Sequence, residues 1–230
     1  MSASTLVSIQ NVNKTYGSGN GAVHALKNVS VDIPRGAFLL LSGPSGSGKS
    51  TLLNLLGFLD SPTEGRIVYD GQPVVVKDFD KMAHFRNRKV GFVFQSYNLI
   101  PVLSAWENVM VPLIIRDDLT QTEKKKRVNE VIAAVGLEDR KNQRPDQLSG
   151  GQKQRVAVAR AMVTQAPIVL ADEPTANLDT ENSMRILELM VKMGSDHGTA
   201  FIFSSHDPRV EKFAKQKVTL RDGEIVEKTL

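Results

Sequence analysis

Eight residues, Gly43-Pro44-Ser45-Gly46-Ser47-Gly48-Lys49-Ser50, fit the pattern G-x-x-x-x-G-K-[ST] and have the makings of a phosphate cradle. Glycines let backbone N–H groups turn inward and come close to phosphate oxygens. A helix starting at Lys49 adds partial positive charge from its N-terminus. The Lys49 ammonium is placed for β- and γ-phosphates, and the Ser50 hydroxyl for Mg²⁺. A second constellation is Asp172-Glu173, which follows the apolar run Ile168-Val169-Leu170-Ala171. A carboxylate closing an apolar strand is costly without a charged partner, and Mg²⁺, directly or through water, is such a partner for Asp172. Neighbouring residues on a strand point in different directions, so Glu173 is free to act as a general base toward water. An acidic pair capping the Pro174 turn is the plainer reading. A third is Leu148-Ser149-Gly150-Gly151-Gln152, where the Ser149 hydroxyl and the Gly151 N–H at a helix start suit a γ-phosphate. An ordinary helix cap is the alternative. Lys49 and Ser50 already surround one phosphate, so a second cradle has no evident use within the same chain.

These groups need a rigid frame. Residues 38–41, Phe-Leu-Leu-Leu, read as a buried strand feeding the glycine-rich turn and a helix from Lys49 to about Leu56. Residues 90–94, 168–171 and 200–203 are further buried-strand candidates, and strands apolar on both faces suggest a parallel sheet covered by helices. Val7 and Ile9 alternate with polar residues, as in an edge strand. Thr120 and Glu123 form a capping box, Val128, Val131, Ile132 and Val135 follow at helical spacing, and Gly136 ends that helix. From about Ser104 to Thr164 no strand is expected, which predicts a helical insertion in an α/β core. The run Lys124-Lys125-Lys126-Arg127 reads as a solvated helix face. A helix capped by Asp179 or Thr180 is expected to bury Ile186, Leu189, Met190 and Met193, and one after 148–152 to run from about Gln152 to Met162. Asp222-Gly223 between two short apolar runs is a hairpin signal.

Bulk composition narrows the function. The chain has 230 residues and a formal charge of +4, a modest excess with no Lys/Arg stripe carrying interleaved aromatics, so nucleic acid is not expected as a partner. There are no cysteines, which excludes disulfides, thiol nucleophiles and cysteine-held zinc. The first ten residues hold no Lys or Arg and do not read as a signal peptide. No apolar stretch approaches the roughly 20 residues that cross a bilayer.

The phosphate loop, the 148–152 pentapeptide and the acidic pair, in this order, resemble the ATP-binding subunit of an ABC transporter, from about Leu6 to Val226. The resemblance implies one domain over 1–230. Its α/β P-loop ATPase core has a mostly parallel sheet and an N-terminal antiparallel β part, covering about 1–95 and 165–230. A helical subdomain is inserted at about 96–164. By the same resemblance Thr51 touches the α-phosphate. Gln95 contacts Mg²⁺ and the attacking water, and His206 bonds the γ-phosphate. Tyr16, in Lys14-Thr15-Tyr16-Gly17, stacks on adenine. Head-to-tail pairing gives the second cradle its use: Ser149, Gly150, Gly151 and Gln152 of one copy close over ATP bound to the other. Asp179, in Ala176-Asn177-Leu178-Asp179, crosses that interface.

Further expectations follow from the resemblance. The cofactors are ATP and Mg²⁺. The partners are a second copy or a paralogue and an integral membrane permease or mechanotransmission subunit, with room for a periplasmic adaptor. The place is cytoplasmic, peripheral on the inner face of the cell membrane. The segments Val23-His24-Ala25-Leu26 and Phe94-Gln95-Ser96-Tyr97-Asn98-Leu99-Ile100-Pro101 are similar to the macrolide-export and lipoprotein-releasing branch. An importer ATPase and a signalling ATPase of the cell-division type are the alternatives; the C-terminal regulatory domain of some importers is not expected. A chromosome or repair ATPase would need a long coiled coil, and the hundred or so residues between Lys49 and Ser149 carry no sustained heptads.

Overall fold

The computed structural model describes residues 4–75 and 82–229. In chain order the elements are β1 (Thr5–Tyr16), β2 (Val23–Pro34), β3 (Phe38–Ser42), α1 (Lys49–Leu56), β4 (Glu64–Tyr69), β5 (Gln72–Val74), α2 (Met82–Lys89), β6 (Val90–Val93) and α3 (Ala105–Met110). They continue with α4 (Gln121–Ala134), α5 (Gly150–Met162), β7 (Ile168–Asp172), α6 (Thr180–His197), β8 (Ala200–Ser204), α7 (Pro208–Glu211), β9 (Gln216–Arg221) and β10 (Glu224–Thr229). The class is α/β, with one antiparallel sheet, mostly parallel core strands and a helical insertion.

One compact unit holds Met1–Ala83 and Ala200–Leu230. Here β3 pairs in parallel with β8, Phe38 beside Phe201 and Leu40 beside Phe203, and in parallel with β9, Leu41 beside Val218. Every residue of β8 is buried, as a two-sided covered strand requires. The rings of Phe38, Phe201 and Phe203 stack, with centroids 5.5 Å apart for the first pair and 5.8 Å for the last. Each contact adds about 0.5–1.5 kcal/mol beyond area burial. Helix α1 lies against β2 and β8 and buries Leu52, Leu53, Leu55 and Leu56. Asp222 and Gly223 both have positive φ, 50° and 81°, the mirror-image turn that Asp-Gly favours between β9 and β10.

The antiparallel sheet runs β2-β1-β4-β5. β1 is therefore an inner strand, paired with β2 and β4, not the edge strand its alternation suggested. Alternation reports which faces are covered, not how many neighbours a strand has. Leu6 and Val7 are each 1% exposed, so even the faces are both covered at its start. The register slips between Ile9 and Val12, where Asn11 takes a φ of 49°, a bulge that bends the long strand.

The other compact unit is His84–Thr199. β6 and β7 pair in parallel, Val93 beside Ala171. Between 104 and 164 the described residues form only helices and turns. Helix α5 is the unit's central helix: Val156, Ala157, Val158 and Ala159 are all fully buried, and α3, α4, α6 and β6 lie against it. Gly91 permits that approach, because a Cβ there would sit 2.4 Å from the Ala161 carbonyl oxygen. Helices α3, α4 and α5 each open with a capping box, Ser104/Glu107, Thr120/Glu123 and Ser149/Gln152. α5 thus begins two residues ahead of the expected Gln152, because Gln152 is the third helical residue of the box. In α6, capped by Asp179, Leu187 and not Leu189 is buried with Ile186, Met190 and Met193. Lys124 departs from its solvated neighbours: it is 6% exposed and its Nζ donates to the Ile114 carbonyl at 3.4 Å. The sole tryptophan, Trp106 of α3, donates its ring N–H to Asn129 of α4 at 2.8 Å.

Candidate functional site

In the first unit, the loop between β3 and α1 is shaped by its glycines. Gly43, Gly46 and Gly48 have φ of 138°, 78° and 101°. A Cβ at Gly43 would lie 2.1 Å from the Leu220 carbonyl oxygen, and one at Gly48 2.6 Å from that of Ala25. These two glycines are fixed by both conformation and space. Nothing lies within 4 Å of a Cβ at Gly46, so its requirement is conformational alone. Pro44, Ser45 and Gly46 are exposed, whereas Ser47 is buried and its Oγ has no hydrogen-bond partner among the described residues. Lys49 folds over the loop, its Nζ donating to the Gly43 carbonyl at 2.8 Å and the Pro44 carbonyl at 2.9 Å. Two of its N–H donors are so used, and an ammonium has three. Ser50 is exposed at the first turn of α1.

Tyr16 ends β1 with its ring 40% exposed. Its hydroxyl donates to Asp60 at 2.8 Å, while Lys14 Nζ stands over the ring, 4.7 Å from its centroid. Lys14 bonds Asp60 at 2.6 Å. Burial pushes the Asp60 carboxyl up, but hydrogen bonds from Lys14, Tyr16 and the Ser61 N–H outweigh it and hold the group below its ordinary value. Burial and the Asp60 contact raise the Tyr16 phenol. Lys14 and Asp60 were not read from the sequence; they stand 46 residues apart, and no local pattern joins them. His206 is exposed two residues past β8. The Ser205 N–H bonds the Leu41 carbonyl at 3.3 Å, and Asp207 caps α7 while pairing with Arg209 at 2.8 Å. Because Leu41 stands beside Ser204 in a parallel pair, His206 and Gly43 emerge at the same, carboxyl end of adjacent strands. That end is where open α/β sheets bind ligands.

The second unit repeats the device. Val93 stands beside Ala171, so Gln95 and Asp172-Glu173 leave β6 and β7 at one carboxyl end. Gln95 is exposed; Asp172 and Glu173 are half-buried. Glu173 adopts a φ of 44°, a left-handed conformation that costs a non-glycine residue free energy. Sequence patterns do not betray such a kink. Ser149 caps α5: its Oγ accepts the Gln152 N–H at 3.3 Å and Gln152 Oε1 accepts the Ser149 N–H at 2.9 Å. The cap and the phosphate ligand are thus compatible readings of one serine, since a hydroxyl accepts and donates at once. A Cβ at Gly151 would lie 2.9 Å from Asn182 Oδ1, and Asp179 accepts from Asn182 at both its N–H, 2.9 Å, and its Nδ2, 2.6 Å. The 148–152 pentapeptide and the 176–179 turn are therefore neighbours through Asn182.

The residues proposed for a metal, Ser50, Gln95 and Asp172, offer hard oxygen donors. Among the described residues, no three His, Asp or Glu side chains gather as a cage. Taken singly, a hydroxyl, an amide oxygen and a carboxylate are donor types that suit Mg²⁺, which completes its shell with phosphate and water.

Comparison with known families settles what such a chain is. The ABC transporter family matches residues 26–176. The chain belongs to the ABC transporter family. This ABC cassette is 44% identical to the ABC transporter ATP-binding protein MJ0796 of Methanocaldococcus jannaschii, over 96% of this chain and 95% of that one. It is 42% identical to the macrolide export ATP-binding/permease protein MacB of Marinobacter nauticus, over the whole of this chain but 35% of that protein's length. The cassette also resembles the solved dimeric structure of MJ0796 in a post-hydrolysis state bound to ADP and Pi. That likeness has a TM-score of 0.87, 43% identity, and covers 97% of this chain and 98% of the other.

Proposed function

We propose that this chain is the ATP-hydrolysing subunit of a membrane machine for export or for release of lipoprotein or other envelope cargo. It works as a head-to-tail dimer driven by Mg-ATP. Enzymatic ATP hydrolysis rests on family membership; the observation that carries the rest is the likeness to a dimeric cassette holding hydrolysis products. Tyr16 stacks on adenine by the ring face opposite Lys14, and Thr51 meets the α-phosphate. The loop 43–50 offers N–H groups and the third Lys49 donor to the β- and γ-phosphates. Ser50, Gln95 and Asp172 hold Mg²⁺, which when bound offsets charge on the phosphate oxygens. Glu173 accepts a proton from water, Gln95 orients that water, and His206 donates to the γ-phosphate. Ser149, Gly150, Gly151 and Gln152 serve the nucleotide bound to a second copy. Loss of γ-phosphate removes charge-assisted bonds and lets the pair open.

Likeness to the macrolide exporter supports export, and makes an integral membrane partner part of the proposal, with a periplasmic adaptor as a possible third member. Among the described residues no helix is long and apolar enough to cross a membrane. A peripheral position on the cytoplasmic face, held by that partner, is part of the proposal. Val102 and Ile114, 70% and 67% exposed in the second unit, support docking around 95–103 and the helical segment. One experiment tests both levels. The variant Glu173→Gln should bind ATP, hydrolyse at least about a hundredfold more slowly, and run as a dimer by light scattering with Mg-ATP. A tagged copy held closed should bring down a membrane protein from mild detergent extracts. A variant that stays monomeric at saturating Mg-ATP defeats the dimer reading. A multi-span permease with a solute-binding protein would turn the assignment to import.

A further inference from the structure

The loop leaving β6 contains two successive residues in left-handed conformation, Tyr97 with φ 61° and Asn98 with φ 46°. Neither is glycine, so the shape is unfavourable by itself and persists only if the surroundings fasten it. The fasteners come from outside the loop. Arg160, near the end of α5, donates from Nη2 to the Tyr97 carbonyl at 2.7 Å and from Nη1 to the Asn98 carbonyl at 2.5 Å. The planar guanidinium fork suits two adjacent acceptors in a way a point-like ammonium does not. Burial lowers the Arg160 guanidinium below its ordinary value, and among the described residues no carboxylate offsets that; its charge is spent on carbonyl dipoles. One turn nearer the start of the loop, Asn177 Nδ2 donates to the Gln95 carbonyl at 2.9 Å. Farther along, buried Asn108 accepts the Ile100 N–H at 2.8 Å and donates to the Ile100 carbonyl at 3.2 Å. Gln95 itself is exposed, and its carbonyl accepts the bond from Asn177.

We infer that Arg160 and Asn177 are positioning residues for Gln95, holding the loop backbone so that its amide meets the metal and the attacking water. The inference rests on the reading of Gln95 given above. It has a structural corollary. Arg160 belongs to the helix that Ser149 opens, and Asn177 to the turn between Glu173 and Asp179. The loop that carries Gln95 is therefore tied to the two segments that would meet a second copy, to one by the Gln95 carbonyl and to the other by the Tyr97 and Asn98 carbonyls, and displacement of either is felt along that loop.

Steady-state ATP turnover by the full chain tests this, with wild type, Gln95→Ala, Arg160→Lys, Asn177→Ala and each of the latter two combined with Gln95→Ala. In the wild-type background Arg160→Lys and Asn177→Ala should each lower kcat about tenfold, leave KM for ATP within about twofold, and raise the Mg²⁺ concentration for half-maximal rate. In the Gln95→Ala background the same changes should cost less than about twofold more, because their route to the reaction is already gone. Full, multiplicative losses in that background would overturn the inference, as would wild-type kcat in both single variants. Should Gln95→Ala turn over at the wild-type rate, the role of Gln95 falls and the inference with it, an outcome distinct from slow but additive variants. Asn177 is exposed, so its truncation leaves the fold intact and carries the test even where Arg160 variants unfold.

Discussion

Lys49 holds its own loop, and in the proposed function the same side chain has a phosphate to hold as well. Its ammonium already holds the Gly43 and Pro44 carbonyls, so it is preorganised before any phosphate arrives. Lys49→Ala should therefore weaken ATP binding by about 10–100-fold, the worth of one or two charge-assisted bonds, measured by titration calorimetry. Wild-type affinity would remove the loop from the nucleotide site. This residue was legible from sequence because eight consecutive positions carry the pattern. Tyr16 was expected at the nucleotide only through its family position, and its contacts with Lys14 and Asp60 were not legible at all. Glu173's left-handed turn was also hidden, since nothing in the residues Ala171-Asp172-Glu173-Pro174 demands it.

At the scale of elements, parallel strand pairs do the placing. β3 with β8 brings the 43–50 loop and His206, and β6 with β7 brings Gln95, Asp172 and Glu173, each set of candidates to one carboxyl end. Their continuous apolar runs made them readable, whereas β4 and β5 were missed because half or more of their residues are exposed, and β2 was missed although Val29, Val31 and Ile33 alternate as buried residues. β1 was found but misplaced, since pairing partners lie far away in sequence. The helical unit depends on its caps. Glu123 is held below its ordinary value by bonds from the Thr120 hydroxyl and N–H, and Glu107 by the Ser104 N–H and hydroxyl. A depressed folded value means that the stability these contacts give is complete above the unfolded value near 4.5 and is lost as pH falls through the folded one. Circular dichroism should record helix loss below that point, and Glu107→Gln with Glu123→Gln should flatten it while keeping both boxes. Gly91→Ala should cost about 1–3 kcal/mol by driving α5 off β6, seen as a lower thermal midpoint. An unchanged midpoint would mean that the helix shifts freely.

For the whole molecule, the second cradle is the informative one. Ser149 is exposed at the start of α5, and its oxygen is already engaged in the cap. Ser149→Arg should leave ATP binding by the monomer intact and abolish dimerisation with Mg-ATP, read by light scattering beside calorimetry. Equal loss of both would place the serine at its own chain's nucleotide. The pairing of copies was legible only through resemblance, because one chain's residues cannot display a partner. Trp106 offers a way to watch that event without labels. It is the chain's single indole, half-buried between α3 and α4 and held by Asn129. Its emission reports the polarity around one fixed point in the helical unit. A spectral change on adding Mg-ATP to Glu173→Gln would time the response of that unit in stopped flow, with Asn129→Ala as the optical control.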